Sequence, residues 1–478
     1  MTYYCNFATV QADLRSGAVT CRQLVDHYLA RIDEHQHLNV FTEVYADGAR
    51  TQADAVDQKL ASGTAGRLAG MVIGIKDVLS YKDHGLRAGS RILDKFTAQF
   101  TATAIQRLLD DDVIIIGRQN CDEFAMGSSN ENSAFGPVRN AADPSRVPGG
   151  SSGGSAVAVQ AGLCLASIGS DTGGSVRQPA AFCGVVGLKP TYGRISRWGL
   201  IAYASSFDCI GPIANTVEDA ALLLEIMAGP DDFDSTVSSQ PVQAYSQEQL
   251  PNRPLRIAYL RDGVESPGID ASIREATQRK LDDLRAAGHT VEPVDLSLLQ
   301  YLLPTYYILT TAEASSNLSR FDGVRYGYRS QSDASDVSTL DLLSLYKKSR
   351  TEGFGAEVRR RILLGTFALS ASYYDAYYTK AQQVRRLIRQ ETERVFEHYD
   401  FLLSPTTPTP AFKLGEKTGD PLQMYLADIF TVQANVVGYP AISIPNGSDG
   451  DLPIGIQLMA PPFAEGALVA LAKEMQKA

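Results

Sequence analysis

Between Gly149 and Gly199, glycine and serine crowd around apolar runs that only a packed interior can use. Gly149-Gly-Ser-Ser-Gly-Gly-Ser155 and Gly169-Ser-Asp-Thr-Gly-Gly-Ser175 are interleaved with Ala156-Val-Ala-Val159, Leu163-Cys-Leu-Ala-Ser-Ile168 and Cys183-Gly-Val-Val-Gly-Leu188. A flexible Gly/Ser linker lacks such runs. These residues therefore read as tight turns inside a folded sheet. Upstream, Thr20-Cys-Arg-Gln23 is a capping box, followed on one helical face by Leu24, Val25, Tyr28, Leu29 and Ile32. A polar, Ala-rich helix follows near Asp47 to Leu60. Met71-Val-Ile-Gly-Ile75 predicts a buried strand ending at Lys76. A helix near Thr103 to Asp110 leads into a second strand, Val113 to Ile116, closed by Gly117. Thr216 opens a helix that ends at Gly229-Pro230, and residues 231–252 read as a surface loop. Leu255–Leu260 and Val291–Val294 flank a helix as a β-α-β unit. Thr366 to His398 reads as one long helix, with Phe401–Leu403 as a strand after it. Alternating helices and apolar strands predict an α/β fold with helices on the faces of a sheet. With no repeat and no break in composition, a single domain over residues 1–478 is expected, helical over about 1–65 and with its core over about 66–230.

Charge and cysteine usage narrow the function. Lys and Arg number 44 against 54 Asp and Glu, a net charge of −10. That argues against this chain alone gripping a phosphate backbone, which needs a basic face. The six cysteines form no C-x-x-C pair, so zinc-knuckle and thioredoxin readings have no support, and scattered thiols fit a reducing compartment. The opening Met-Thr-Tyr-Tyr-Cys-Asn-Phe lacks a basic-then-apolar leader. The most apolar stretch, Ala156 to Ile168, contains Gln160 and is too short to span a bilayer. The expectation is a cytoplasmic protein, or one of an equivalent organellar matrix, with no membrane contact.

Three segments carry chemistry. Gly149–Ser155 satisfies G-x-S-x-G twice, with Ser151 or Ser152 central, as in a nucleophile elbow. A capped tight turn before a helix starting near Ser155 carries the same pattern. An elbow needs a histidine base, and no histidine lies between residues 85 and 288. Only His289 and His398 follow in the Ser-Asp-His order, and both read as surface residues. Without histidine another base is needed, and lysine serves when held neutral. Gly169–Ser175 follows a predicted strand, and consecutive glycines let backbone N–H groups converge as an oxyanion hole requires. Lys76, at the end of an apolar strand, has a lowered pKa if buried and then becomes a base near neutral pH. No metal-ligand cluster and no nucleotide-binding glycine motif is visible.

Taken together, Gly74-Ile-Lys-Asp77, Val147-Pro-Gly-Gly-Ser-Ser-Gly-Gly-Ser155 and Gly169-Ser-Asp-Thr-Gly-Gly-Ser175 resemble the amidase signature family. The family spaces its two catalytic serines by 24 residues, which Ser151 and Ser175 satisfy and Ser152 does not. The resemblance implies Ser175 as nucleophile, Ser151 as proton relay and Lys76 as base, with a cis peptide expected before Ser152. The N–H groups of Thr172, Gly173, Gly174 and Ser175 would form the oxyanion hole. It also implies the family fold, a large mixed β-sheet sandwiched between layers of α-helices.

Later blocks resemble the tRNA-dependent amidotransferase branch of the family: Asn120–Ser133, Ala312–Gly323, Gly353–Ile362, Gly365–Ser370 and Tyr373–Tyr378. That branch implies a glutaminase whose ammonia converts Glu-tRNA(Gln) to Gln-tRNA(Gln) on a partner. Two further subunits, of B and C type, are implied. The tRNA would be held mainly by a partner, and ATP and magnesium would also be used there, with no cofactor in this chain. Arg361 would hold the substrate α-carboxylate and Asp428 the α-amino group, with Ser128 and Tyr306, or its neighbour Tyr307, completing the pocket. One fixed cation and one fixed carboxylate suit an α-amino acid. The alternative reading is a stand-alone amidase of small amides. A non-catalytic scaffold is disfavoured by the intact triad. Cys209 stands where many relatives carry Gln.

Overall fold

The computed structural model describes residues 4–330 and 341–477. An 11-stranded sheet organises them. In chain order its strands are β1 Phe41–Val44, β2 Val72–Lys76, β3 Ile114–Gln119, β4 Ala166–Asp171, β5 Val186–Lys189 and β6 Cys209–Ala214, then β7 Arg256–Leu260, β8 Thr290–Val294, β9 Phe401–Pro405, β10 Ala441–Asp449 and β11 Leu452–Met459. In space the order is β1-β3-β2-β4-β6-β5-β10-β11-β9-β7-β8. The strands β3, β2 and β4 run parallel, as do β9, β7 and β8, while every other pair is antiparallel. This is the mixed sheet expected. In β2, β3 and β4 every residue of either parity is buried, so helices cover both faces, and the strands read as apolar runs for that reason. One contiguous cluster of buried side chains extends from Tyr4 to Met475.

Most predicted elements are found. Thr20 and Gln23 form the capping box of helix Cys21–Glu34. Helix Ala46–Ser62 ends at a left-handed Gly63. Thr216 caps Val217–Met227. β7 and β8 pair in parallel around helix Ala271–Ala286, making the β-α-β unit.

Three boundaries differ. β3 runs past Gly117 to Gln119, because the absent side chain there makes room for Phe41 and the Glu43 carbonyl of β1. The helix after the first Ser/Gly motif begins at Gly153, before Ser155. The long helix expected over Thr366–His398 is two helices, Ala356–Ala368 and Lys380–Phe396, with a π-helical turn at Asp375–Thr379 between them. At the break Ser370 Oγ donates to the Phe367 carbonyl (2.8 Å). Serine there offers the backbone a local partner in place of the next helical turn.

The chemistry-bearing segments meet at one edge of the parallel part. β2 and β4 are parallel neighbours, with Ile75 opposite Ile168. Lys76 and Ser170 therefore leave the sheet at the same end.

Candidate active site

Lys76 is fully buried. Its Nζ donates to three hydroxyls: Ser151 Oγ at 2.7 Å, Ser152 Oγ at 2.9 Å and Ser170 Oγ at 2.9 Å. Burial pushes its pKa down to about 8, against the pull of Asp122, Asp171 and Asp208 nearby. A lysine so placed is neutral for a useful fraction of the time near pH 8 and can accept a proton. The cis peptide is Gly150–Ser151. It lies one residue earlier than expected, and Ser151 is the residue that closes it. Gly150 N–H donates to Gln178 Oε1 at 2.9 Å, which fixes this turn against the helix Arg177–Cys183.

Ser175 lies where β4 gives way to that helix and is 8% exposed. Its carbonyl accepts from Ser152 N–H at 3.2 Å, so the two Ser/Gly motifs touch. Among the described residues no hydrogen bond joins the Ser151 and Ser175 hydroxyls. The glycines before Ser175 answer to close neighbours. A Cβ on Gly173 would lie 2.4 Å from Tyr306 Oη. Gly174 has φ +124°, and a Cβ there would lie 2.2 Å from Thr431 Oγ1. Neither position tolerates a side chain.

Asp171 holds this loop from within. Its carboxylate accepts from Gly174 N–H (2.9 Å) and Val176 N–H (3.2 Å) and forms a buried pair with Arg177 at 3.0 Å. Burial alone would raise its pKa, but the Arg177 cation and the hydrogen bonds reverse this and hold it well below the usual carboxylate range. Gly174 N–H is thus spent inside the protein. Thr172 Oγ1 donates to Asp208 at 2.7 Å, and Thr431 Oγ1 donates to the Gly173 carbonyl at 2.8 Å. The loop is held from both sides, and the N–H groups of Gly173 and Ser175 have no hydrogen-bond partner among the described residues.

A charged pocket adjoins it. Arg361 is buried and lies 5.4–5.7 Å from the ring centres of Tyr203, Tyr307 and Tyr425. Its Nε donates to Glu357 at 2.8 Å and Nη1 to Tyr203 Oη at 2.7 Å, while Nη2 makes no hydrogen bond to the described residues. Asp428 is buried too, accepting from Ser128 Oγ at 2.5 Å and Tyr307 Oη at 3.4 Å. Burial raises its pKa to about 7, while Ser128 and Arg361 pull it down. Tyr307 therefore stands between the cation and the carboxylate. Tyr306 packs edge-on against it, centroids 5.0 Å apart, and reaches Gly173. Both tyrosines thus join the pocket, Tyr306 to the loop and Tyr307 to Asp428. Thr431 Oγ1 also donates to the Asp428 carbonyl at 3.1 Å, which ties pocket to loop.

The histidine alternatives fall away on position. His289 precedes β8 at the far edge of the sheet and accepts from Leu255 N–H at 3.3 Å. His398 is exposed beyond helix Lys380–Phe396. Cys209 opens β6 opposite Asp171, its Sγ donating to the Phe207 carbonyl at 3.6 Å.

The model of the amidase family matches residues 23–469. The chain belongs to the amidase family. Curated relatives in the family include the A-type subunit of glutamyl-tRNA(Gln) amidotransferase from Chlorobium luteolum, 52% identical over 99% of this chain and 97% of that protein. The corresponding protein from Koribacter versatilis is 50% identical over 99% and 98%. Among solved structures, the A-type subunit from Thermotoga maritima matches with a TM-score of 0.77 and 39% identity, over 96% of this chain and 91% of that one. Another neighbour, 6-aminohexanoate cyclic dimer hydrolase, has a TM-score of 0.83 at 25% identity over 99% of this chain and 96% of that one.

Several residues of this amidase site were given no role by the sequence. Ser170 shares Lys76 with Ser151 and with Ser152, the serine weighed against Ser151 as the elbow residue. Tyr203, Tyr425 and Glu357 surround Arg361, and Asp208, Thr431 and Asn435 brace the glycine loop. Ser170 stands inside the quoted motif. Ser152 stands inside the other quoted motif, and Glu357 inside the quoted block Gly353–Ile362; Tyr203, Tyr425, Asp208, Thr431 and Asn435 come from other segments and carry no local signal.

Proposed function

We propose that this chain is the glutamine-hydrolysing component of a tRNA-dependent amidotransferase. The observation that carries the reading is the charge pair Arg361 and Asp428, buried on either side of Tyr307 and tied through Thr431 to the loop of Ser175. An α-amino acid amide offers one anion and one cation to such a pocket, and a simple amide offers neither. Full-length relatives near 50% identity that are A-type subunits of glutamyl-tRNA(Gln) amidotransferase support the same reading.

Arg361 holds the α-carboxylate of glutamine through its uncommitted Nη2, and Asp428 holds the α-ammonium. Ser175 attacks the side-chain amide carbon. Its proton passes to Ser151 as the Ser151 proton passes to neutral Lys76. The oxyanion rests on the N–H groups of Thr172, Gly173 and Ser175, with Gly174, whose N–H is held by Asp171, shaping the loop. Collapse of the tetrahedral intermediate expels ammonia, protonated back through Ser151, and leaves a glutamyl ester on Ser175. Water, deprotonated by the same relay, releases glutamate. The ammonia then serves two partner subunits, of B and C type, which hold Glu-tRNA(Gln) and use ATP and magnesium. Residues 1–478 act as one amidase unit in the cytoplasm or an equivalent matrix. A net charge of −10 suits a chain that leaves the tRNA backbone to others.

The test is Ser175→Ala in the assembled enzyme. Glutamine-dependent amidation of Glu-tRNA(Gln) is lost and ammonia-dependent amidation persists. Loss of both refutes the division of labour. A stand-alone amidase would instead cleave simple amides as well as glutamine and co-purify with nothing.

A further inference from the structure

Helix Ala356–Ala368 has a buried stripe and, across from it, an exposed apolar one. Val358, Arg361, Gly365 and Ala368 form its buried stripe. Gly365 lets it press onto helix Leu299–Asn317, since a Cβ there would lie 1.9 Å from the Thr311 carbonyl. The opposite side should be polar in a helix that faces only water. It carries Leu363, 70% exposed, with Leu364 and Phe367 each at 46%. The next turn adds Tyr373, Tyr374 and Tyr377 at 41–42%. Phe367 contacts Tyr373 and Tyr377, with ring centres 4.3 and 5.6 Å apart, so the patch is continuous.

These six side chains expose about 500–600 Å² of mostly apolar surface, taking about 200 Å² for each whole residue. That is at the upper end for a monomer's largest patch. It also matches the apolar share of a standard interface, which buries about 800 Å² on each side. The rim is basic. Arg359 and Arg360 stand four residues before Leu363 and Leu364 and are exposed; Arg360 pairs with Glu357, and Asp375 is the acidic residue of the adjoining turn. A different chain with carboxylates around an apolar centre fits.

We propose that the outer face of helix Ala356–Ala368 and the tyrosine turn after it is the docking surface for the ammonia-consuming partner. The proposal rests on the function given above. Arg361 is on the buried side of this same helix, so the partner would sit directly behind the α-carboxylate clamp.

The experiment uses the full chain and the two purified partner subunits, with Leu363→Glu and Phe367→Glu singly and together. Both positions are exposed, so the thermal midpoint and glutamine hydrolysis of the free chain stay within twofold of wild type. Binding within the complex, read by analytical ultracentrifugation or surface plasmon resonance, weakens at least 100-fold in the double variant. Glutamine-dependent amidation falls with it and ammonia-dependent amidation does not. Unchanged assembly by the double variant overturns the surface and leaves the functional reading standing. A wild-type homodimer that the substitutions break also overturns it. A wild-type chain that binds neither partner overturns both proposals.

Discussion

Arg361 offers the sharpest quantitative test of substrate selection. Its guanidinium is buried, boxed by three tyrosine rings and oriented by Glu357 and Tyr203, which leaves Nη2 for the substrate. Truncating one member of a buried, hydrogen-bonded charge pair costs about 2–5 kcal/mol. At about 1.4 kcal/mol per tenfold, Arg361→Ala lowers kcat/KM for L-glutamine by about 30- to 3,000-fold. Arg361→Lys keeps the charge but loses the planar fork, so it recovers only part of that loss. The assay is steady-state ammonia release from L-glutamine, run beside an aliphatic amide without an α-carboxylate. Hydrolysis of that amide, however slow, stays within threefold of wild type, because Arg361 touches nothing in it. Near-wild-type kcat/KM for glutamine in Arg361→Ala would refute the clamp and favour the stand-alone amidase.

Three further outcomes follow from the same geometry. Lys76 acts when deprotonated and its pKa is lowered to about 8 by burial, so kcat/KM rises with pH up to about 8 and then levels; a flat profile from pH 6 to 9 would remove Lys76 as the base. Asp428 holds a cation only when ionised and its pKa is raised to about 7, so KM for glutamine falls as pH rises through about 7, and Asp428→Asn abolishes that dependence. Gly174→Ala puts a side chain at φ +124° and 2.2 Å from Thr431 Oγ1, which displaces the oxyanion loop; kcat drops by about 10²–10³, as for a lost oxyanion donor, and the fluorescence-detected thermal midpoint falls too, since backbone strain of this kind costs about 1–3 kcal/mol.

How much of this could be read in advance depends on whether the information was local. The capping box at Thr20 and the strand ending at Lys76 were legible because hydrogen bonding and burial leave a mark within a few residues. Lys76, Ser151 and Ser175 emerged from three short motifs together, although the two Ser/Gly motifs alone read as turns and Lys76 alone as the end of a strand. The hairpin of β10 and β11 was missed even though Ala441-Ile-Ser-Ile444 alternates, because Pro445 and Asn446-Gly447 read as a break; the strand in fact passes through them with a register shift. The split of the expected Thr366–His398 helix was hidden by good helix formers on both sides of Ser370. The tyrosine box around Arg361 draws on positions 203, 307 and 425, whose proximity only the fold creates. Gly174 is the most instructive case. The motif showed that glycine was needed, but the reason lies in Thr431, more than 250 residues away.

The whole mechanism turns on cleavage of glutamine through an ester on Ser175. Acid-quenched enzyme taken during turnover with L-glutamine, digested and mapped by mass spectrometry, reveals whether that ester forms. A glutamyl adduct confined to the peptide carrying Ser175 is expected, absent in Ser175→Ala and in Lys76→Ala. An adduct on Ser151 or Ser152, or undiminished glutamine hydrolysis by Ser175→Ala, would contradict it.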